Sequence, residues 1–213
     1  MQTFLPGLEA TEARATDVVL TPDAIAADVV MHFRPTGRML DPCRGNGAFW
    51  KHMPGAEWCE CRDGRDFFAW HDPVDWIVSN PPYSIFSEWL THSLRLAHDI
   101  VYLIPLAKVF NSEPRLKEIM RVGGIVETRH YGGGTECGFP FGFPCGAVHM
   151  RVGYRGPMAW TFYIPNAEAH GRAVAHSTQV TAPAQCADIG MSAGSCQEMR
   201  NAEHTCTTTP EQQ

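Results

Sequence analysis

The sequence predicts an α/β fold: a mostly parallel, doubly wound sheet with an antiparallel hairpin at its C-terminal end. Three observations carry that expectation. Short apolar stretches alternate with segments of helical period between about residues 17 and 165. Ile100-Val101-Tyr102-Leu103-Ile104-Pro105 is apolar without a break, as suits a central parallel strand buried on both faces. Near the end, 147–154 and 159–164 flank Gly153–Pro157, a segment rich in turn formers, and so read as the two arms of a hairpin.

Taken in order, residues 1–16 read as an irregular lead. Thr21-Pro22-Asp23 then opens a capped helix through Met31, with the proline at its first position. Gly37–Pro42 reads as a strand entering a turn, and Gly45–Lys51 as the start of a second helix. Further strands are expected at 56–60 and 76–79, a helix at 84–98 and another at 114–122, and strands at 124–130, 147–154 and 159–164. From Asn166 the chain is rich in Ala, Thr, Ser and Gln, with too little apolar surface to offset its ordering entropy, so 166–213 is expected to be disordered. The folded domain is therefore expected over 17–165.

Composition narrows the class. A chain of 213 residues with 44% hydrophobic and 19% charged residues has material for one domain and not comfortably for two. No apolar run reaches the roughly 20 residues needed to cross a bilayer, and Met1–Ala10 has no secretory pattern. The expectation is a cytoplasmic protein with no membrane contact, its eight cysteines packed as thiols rather than paired. The net charge of −6 leaves room for only a local basic patch, so any grip on nucleic acid is expected to be weak or transient.

Three motifs fall at strand ends, where open α/β sheets bind ligands. The first is Asp41-Pro42-Cys43-Arg44-Gly45-Asn46-Gly47-Ala48-Phe49. Its two glycines allow a sharp turn and close backbone approach. Trp50 stands where a dinucleotide fingerprint has its third glycine, and Asp41 suits an amino group better than a pyrophosphate. A nucleoside-like cation without phosphate is implied, a description that S-adenosyl-L-methionine fits. The second motif is Glu60, 19 residues after Asp41, placed to accept ribose hydroxyls; Asp66-Phe67 beyond it suits an adenine amino group and ring.

The third and most specific motif is Ser79-Asn80-Pro81-Pro82-Tyr83. Two prolines fix the backbone and remove its donors. The Asn80 side-chain oxygen and the Pro81 carbonyl then match the two N–H donors of an amino group. Holding both hydrogens aims the nitrogen lone pair at a methyl donor, and Tyr83 offers a face to a planar substrate.

With these residues in view, 17–165 resembles the amino-methyltransferases of DNA, particularly the adenine-N6 group in which the cofactor motif precedes the catalytic one. Asp41-Pro42-x-x-Gly45-x-Gly47-x-Phe49, Glu60, Asp66-Phe67 and Asn80-Pro81-Pro82-Tyr83 carry the likeness. The resemblance implies a Rossmann-like class I methyltransferase fold, S-adenosyl-L-methionine as cofactor and a DNA base flipped into the pocket. It also implies that Thr21-Pro22 lies against the methionine part of the cofactor. No target-recognition region of the usual size is present, so short or relaxed recognition is expected. Substrate contacts are expected from Arg129, His130, Phe139 and Phe141 around the Gly/Phe-rich loop 131–146, with Phe143 beside them. Glutamine amides in proteins and amino groups in RNA are the alternative acceptors. Cys137, Cys145, His149 and His130 match no compact ligand spacing, so no metal is expected.

Overall fold

The computed structural model describes residues 19–164; the lead at 1–16 and the tail from 166 expected from the sequence lie outside the described residues. Its elements are α1 (Asp23–Phe33), β1 (Met39–Asp41), β2 (Glu57–Trp58), β3 (Val74–Ser79), α2 (Phe86–Leu96), β4 (Ala97–Pro105), α3 (Ala107–Phe110), α4 (Glu113–Val122), β5 (Gly123–Gly133), β6 (Pro144–Val152) and β7 (Ala159–Phe162). They form one seven-stranded sheet in the order β2-β1-β3-β4-β6-β5-β7. Strands β2, β1, β3 and β4 are mutually parallel, β6 runs antiparallel to β4 and β5, and β7 is parallel to β5.

Strand β4 shows why the sheet is covered on both faces. Its alternation deals Ile100, Tyr102 and Ile104 into one core cluster and Val101 and Leu103 into the other, all at most 1% exposed. Each such aliphatic side chain contributes about 1.5–3 kcal/mol relative to exposure. On the first face α2 presents Phe86, Trp89, Leu90, Ser93 and Leu96, the three-and-four spacing of an amphipathic helix, joined there by Ile119 of α4. On the second face α1 packs Ile25, Ala26 and Val29.

Four local expectations need correction. The antiparallel hairpin at the C-terminal end is present, but its arms are β5 and β6. Residues 159–162 do not return along β6; they lie parallel to β5, with Thr128 opposite Trp160. Gly153–Pro157 therefore serves as a crossing past β5. The start of β5 has glycines because a Cβ at Gly123 would stand 2.0 Å from the Arg151 carbonyl oxygen. Arg155 anchors the crossing by donating to the carbonyls of Met120, Arg121 and Gly123, which also satisfies the end of α4.

The helix expected from Gly45 is reduced to turns and a three-residue 3-10 segment, Trp50–His52. Gly45 (φ 53°) and Gly47 (φ 83°) are both left-handed, which a continuing right-handed helix does not permit. The strand expected at 56–60 is shorter, since β2 stops at Trp58: Cys59 is buried, and Cys61 opens an exposed turn. Finally, Pro22 precedes α1 rather than beginning it, and no side chain caps the helix. The Thr21 hydroxyl expected there is engaged elsewhere.

Candidate active site

The chain passes from β1 out to β2 and then returns to the other side of β1 to make β3, so the sheet changes winding direction between β1 and β3. Ligands in such sheets sit beyond the carboxyl ends of the strands at this switch. Asp41 ends β1 and Ser79 ends β3, and the Ser79 hydroxyl donates to Asp41 Oδ1 at 2.7 Å. Two of the three motifs are thus joined by one hydrogen bond. Ser79 itself was legible only as the residue before Asn80; nothing in its own identity marked the contact.

Asp41 is fully buried. The Cys43 amide approaches the same Oδ1 at 3.4 Å, and no hydrogen bond of normal geometry reaches Oδ2, although the Trp50 amide stands near enough to the carboxyl to act on its charge. Burial pushes the carboxyl up to about 7, against the opposing pull of the Ser79 hydroxyl, the Cys43 and Trp50 amides and the Arg44 charge. A buried carboxylate with one orphaned oxygen favours a cation beside it.

The glycine loop is pinned from β2. Glu60 Oε2 accepts the Gly45 amide at 2.9 Å and Oε1 the Arg62 amide at 3.3 Å. The Arg44 amide donates to the Cys59 carbonyl at 3.0 Å, and the Gly47 amide to the Arg44 carbonyl at 2.7 Å. Trp58 lies between two guanidinium groups, Arg44 at 3.8 Å and Arg65 at 4.0 Å from its ring centre, and Arg44 also pairs with Asp63 at 2.6 Å. This clamp was not anticipated, because its members are spread over residues 44–65. Pro42 and Gly47 are buried within the loop. Phe49 is 2% exposed and packs with Ile25 and Met53 under α1, so it supports the loop as core rather than facing a ligand. Asp66 accepts the Phe68 amide at 3.0 Å. Phe67 is likewise enclosed, its ring centre 4.6 Å from Trp89 and 4.7 Å from His92, and offers no face to an adenine.

At the end of β3, Asn80 is 9% exposed and Pro81 and Pro82 are buried. Asn80 Nδ2 donates to the Val19 carbonyl at 3.2 Å and to Thr21 Oγ1 at 3.1 Å, while its Oδ1 accepts the Tyr83 hydroxyl at 2.9 Å. Lys108 Nζ, unforeseen from the sequence, donates to the Tyr83 carbonyl at 3.3 Å and ties the turn to α3.

The residues assigned to substrate contact divide. Phe141 meets Tyr83 edge to face with ring centres 6.2 Å apart, and Phe139, 3% exposed, stacks under Phe141 at 5.1 Å. Phe143 continues the row at 6.0 Å and is 65% exposed. Arg129 is spent inside the fold: it pairs with Asp28 of α1 through Nε at 2.7 Å and Nη2 at 3.0 Å, beside the Tyr131 hydroxyl. That fixes α1 to β5 and leaves no guanidinium for an outside phosphate. His130 accepts the Gly132 amide on Nδ1, packs near Trp160 and Phe162, and lines a pocket with Pro22 and Tyr131. Pro22 lies against the loop, 3.3 Å from where a Cβ on Gly138 would stand.

With the geometry in place, three comparisons can be set beside it. No protein-family model matches the sequence, and no curated protein does. Solved structures do match. A candidate class I S-adenosylmethionine-dependent methyltransferase from Listeria monocytogenes superposes with a TM-score of 0.52 at 12% identity, over 67% of this chain and 65% of that one. The fold is that of the class I methyltransferases. The modification subunit of a candidate type I restriction enzyme from Vibrio vulnificus matches with a TM-score of 0.49 at 13% identity, over 73% of this chain and 49% of that one. A candidate RNA methyltransferase from Pyrococcus horikoshii follows at 0.43 and 8%, over 63% and 86%. This chain therefore spans just under two thirds of the first of these structures and about half of the second. No helix among the described residues is long and apolar enough to cross a membrane, and no three metal-binding side chains among them cluster.

Proposed function

We propose that this chain transfers a methyl group from S-adenosyl-L-methionine to an exocyclic amino nitrogen, with N6 of adenine in DNA as the acceptor. The observation that carries the reading is the Asn80 amide: both its donors are tied inward, so its oxygen can only accept, beside a proline turn and an aromatic ring. An amino group is the acceptor chemistry this demands. Asp41 supports the cofactor, because its orphaned Oδ2 suits an ammonium group. Gly45 and Gly47 allow close backbone approach, and Glu60 and Asp66 retain lone pairs for ribose hydroxyls and an adenine amino group. The cofactor supplies a methyl group already activated on a sulfonium, so no strong base is required of the protein.

What the chain contributes is orientation. Asn80 Oδ1 and the Pro81 carbonyl hold the two amino hydrogens, turning the nitrogen lone pair toward the methyl group. Tyr83 offers its face to the planar base, with Phe141 against the edge of the tyrosine, and the released proton passes to solvent. A second reading, methylation of a protein glutamine amide, draws support from the net charge of −6, which disfavours phosphate contacts.

The deciding experiment is transfer of labelled methyl to unmethylated DNA, to RNA and to glutamine-bearing protein, with nucleoside mass spectrometry and Asn80→Ala as control. N6-methyladenine lost in the variant is the expected result. Label confined to protein or RNA would replace DNA as the substrate, and a wild-type rate in Asn80→Ala would end the mechanism.

A further inference from the structure

The Thr21 hydroxyl sits one residue ahead of Pro22, the N-cap of α1, and takes no part in capping that helix, which has no side-chain cap. It turns instead toward Asn80, 59 residues away, from a position only 8% exposed.

The surroundings of the Asn80 amide are asymmetric. On one side stands the Val19 carbonyl, which can only accept; on the other the Tyr83 hydroxyl donates. Rotating the amide by half a turn would set its oxygen against the Val19 carbonyl with no proton between them. The Thr21 hydroxyl adds a second acceptor for the inward-facing NH2 group, so both hydrogens are held. One lone pair of Oδ1 then accepts from Tyr83, and the other is left for an incoming N–H. A carboxylate in the same place would put a negative oxygen against the Val19 carbonyl.

We infer that Thr21 is a positioning residue: together with the Val19 carbonyl it locks the Asn80 amide in the orientation that presents Oδ1 to the substrate, and makes position 80 a site for an amide and not for a carboxylate. The inference rests on the amino-group transfer proposed above, and it assigns Thr21 to the acceptor side of the reaction rather than to the methionine part of the cofactor.

The test uses the full chain and reads three quantities. In the free protein, the side-chain NH2 resonances of Asn80, identified by their disappearance in Asn80→Asp, are expected to exchange slowly with water and to exchange about tenfold faster in Thr21→Val. In transfer assays Thr21→Val is expected to lower kcat about five- to tenfold, with the cofactor Kd within twofold, and Thr21→Ser to restore most of kcat. Asn80→Asp is expected to lose about a hundredfold or more. Unchanged exchange with unchanged kcat in Thr21→Val overturns the inference. So does a loss confined to cofactor affinity, a Thr21→Ser variant as impaired as Thr21→Val, or an Asn80→Asp enzyme within tenfold of wild type. A wild-type protein that transfers methyl to no amino acceptor would instead sink the proposed function, while the exchange measurement still reports on the lock.

Discussion

The two sides of the crevice are built on opposite principles. Beyond β3, the Asn80 amide has all its inward groups satisfied, with Val19, Thr21 and Tyr83 each taking a defined role. Beyond β1, Asp41 is as deeply buried, yet one of its oxygens has no partner and its carboxyl is pushed up to about 7. The first group is complete and oriented before anything binds; the second is left short of a positive charge. The difference teaches where each half draws its specificity. On the proposed function, the Asn80 side would select by fixed hydrogen-bond direction and the Asp41 side by an electrostatic deficit that a cationic ligand would relieve.

That contrast can be broken most decisively at Asp41. Asp41→Asn keeps the shape and the Ser79 contact but removes the charge, and is expected to weaken S-adenosyl-L-methionine binding about 100-fold in calorimetry. A loss below threefold would mean that the deficit is not a ligand site. Next in size is the pH response. Because the carboxyl is raised to about 7, it is neutral below that pH and must ionise to meet an ammonium. Cofactor affinity is therefore expected to rise about tenfold per pH unit up to about pH 7 and then level off, and the slope should vanish in Asp41→Asn. A flat profile in the wild type would contradict the assignment. The smallest effect tests the other side. Tyr83→Phe keeps the ring but removes the donor that helps orient the Asn80 amide, so kcat is expected to fall about threefold while cofactor affinity stays constant. An unchanged or raised kcat would show that the hydroxyl takes no part in orienting the amide.

Legibility in the sequence followed the range of each interaction. The Asp41–Gly47 loop and the Asn80–Tyr83 turn could be read because each is a contiguous segment whose residue types impose their own backbone. The alternation of strands and helices was likewise local. What was misread depends on distant partners. Arg129, expected at the substrate, is held instead by Asp28, 101 residues away. Phe67 and Phe49 sit in motifs where an aromatic ring could face a ligand, but Trp89 and the underside of α1 claim them. The fate of 159–162 hinged on a crossing held by Arg155 and permitted by Gly123, neither of which leaves a periodic trace. Strand order, unlike strand existence, is written in such contacts.

The position of β6 has a consequence for how the protein is made. Strands β2, β1, β3 and β4 are complete once residue 105 has left the ribosome, and by then Asp41 at the end of β1 and Asn80 just beyond β3 have been made. Strand β5 emerges next but has no hydrogen-bonded place beside β4, because β6 belongs between them. It must wait as an unpaired ribbon until residues 144–152 arrive, and only then can the intervening loop with Phe139 and Phe141 come to rest against Tyr83. Assembly during synthesis thus begins with the parallel strands β1–β4 and ends with the β5–β6 pair, and the late, long-range step is the one most exposed to misassembly.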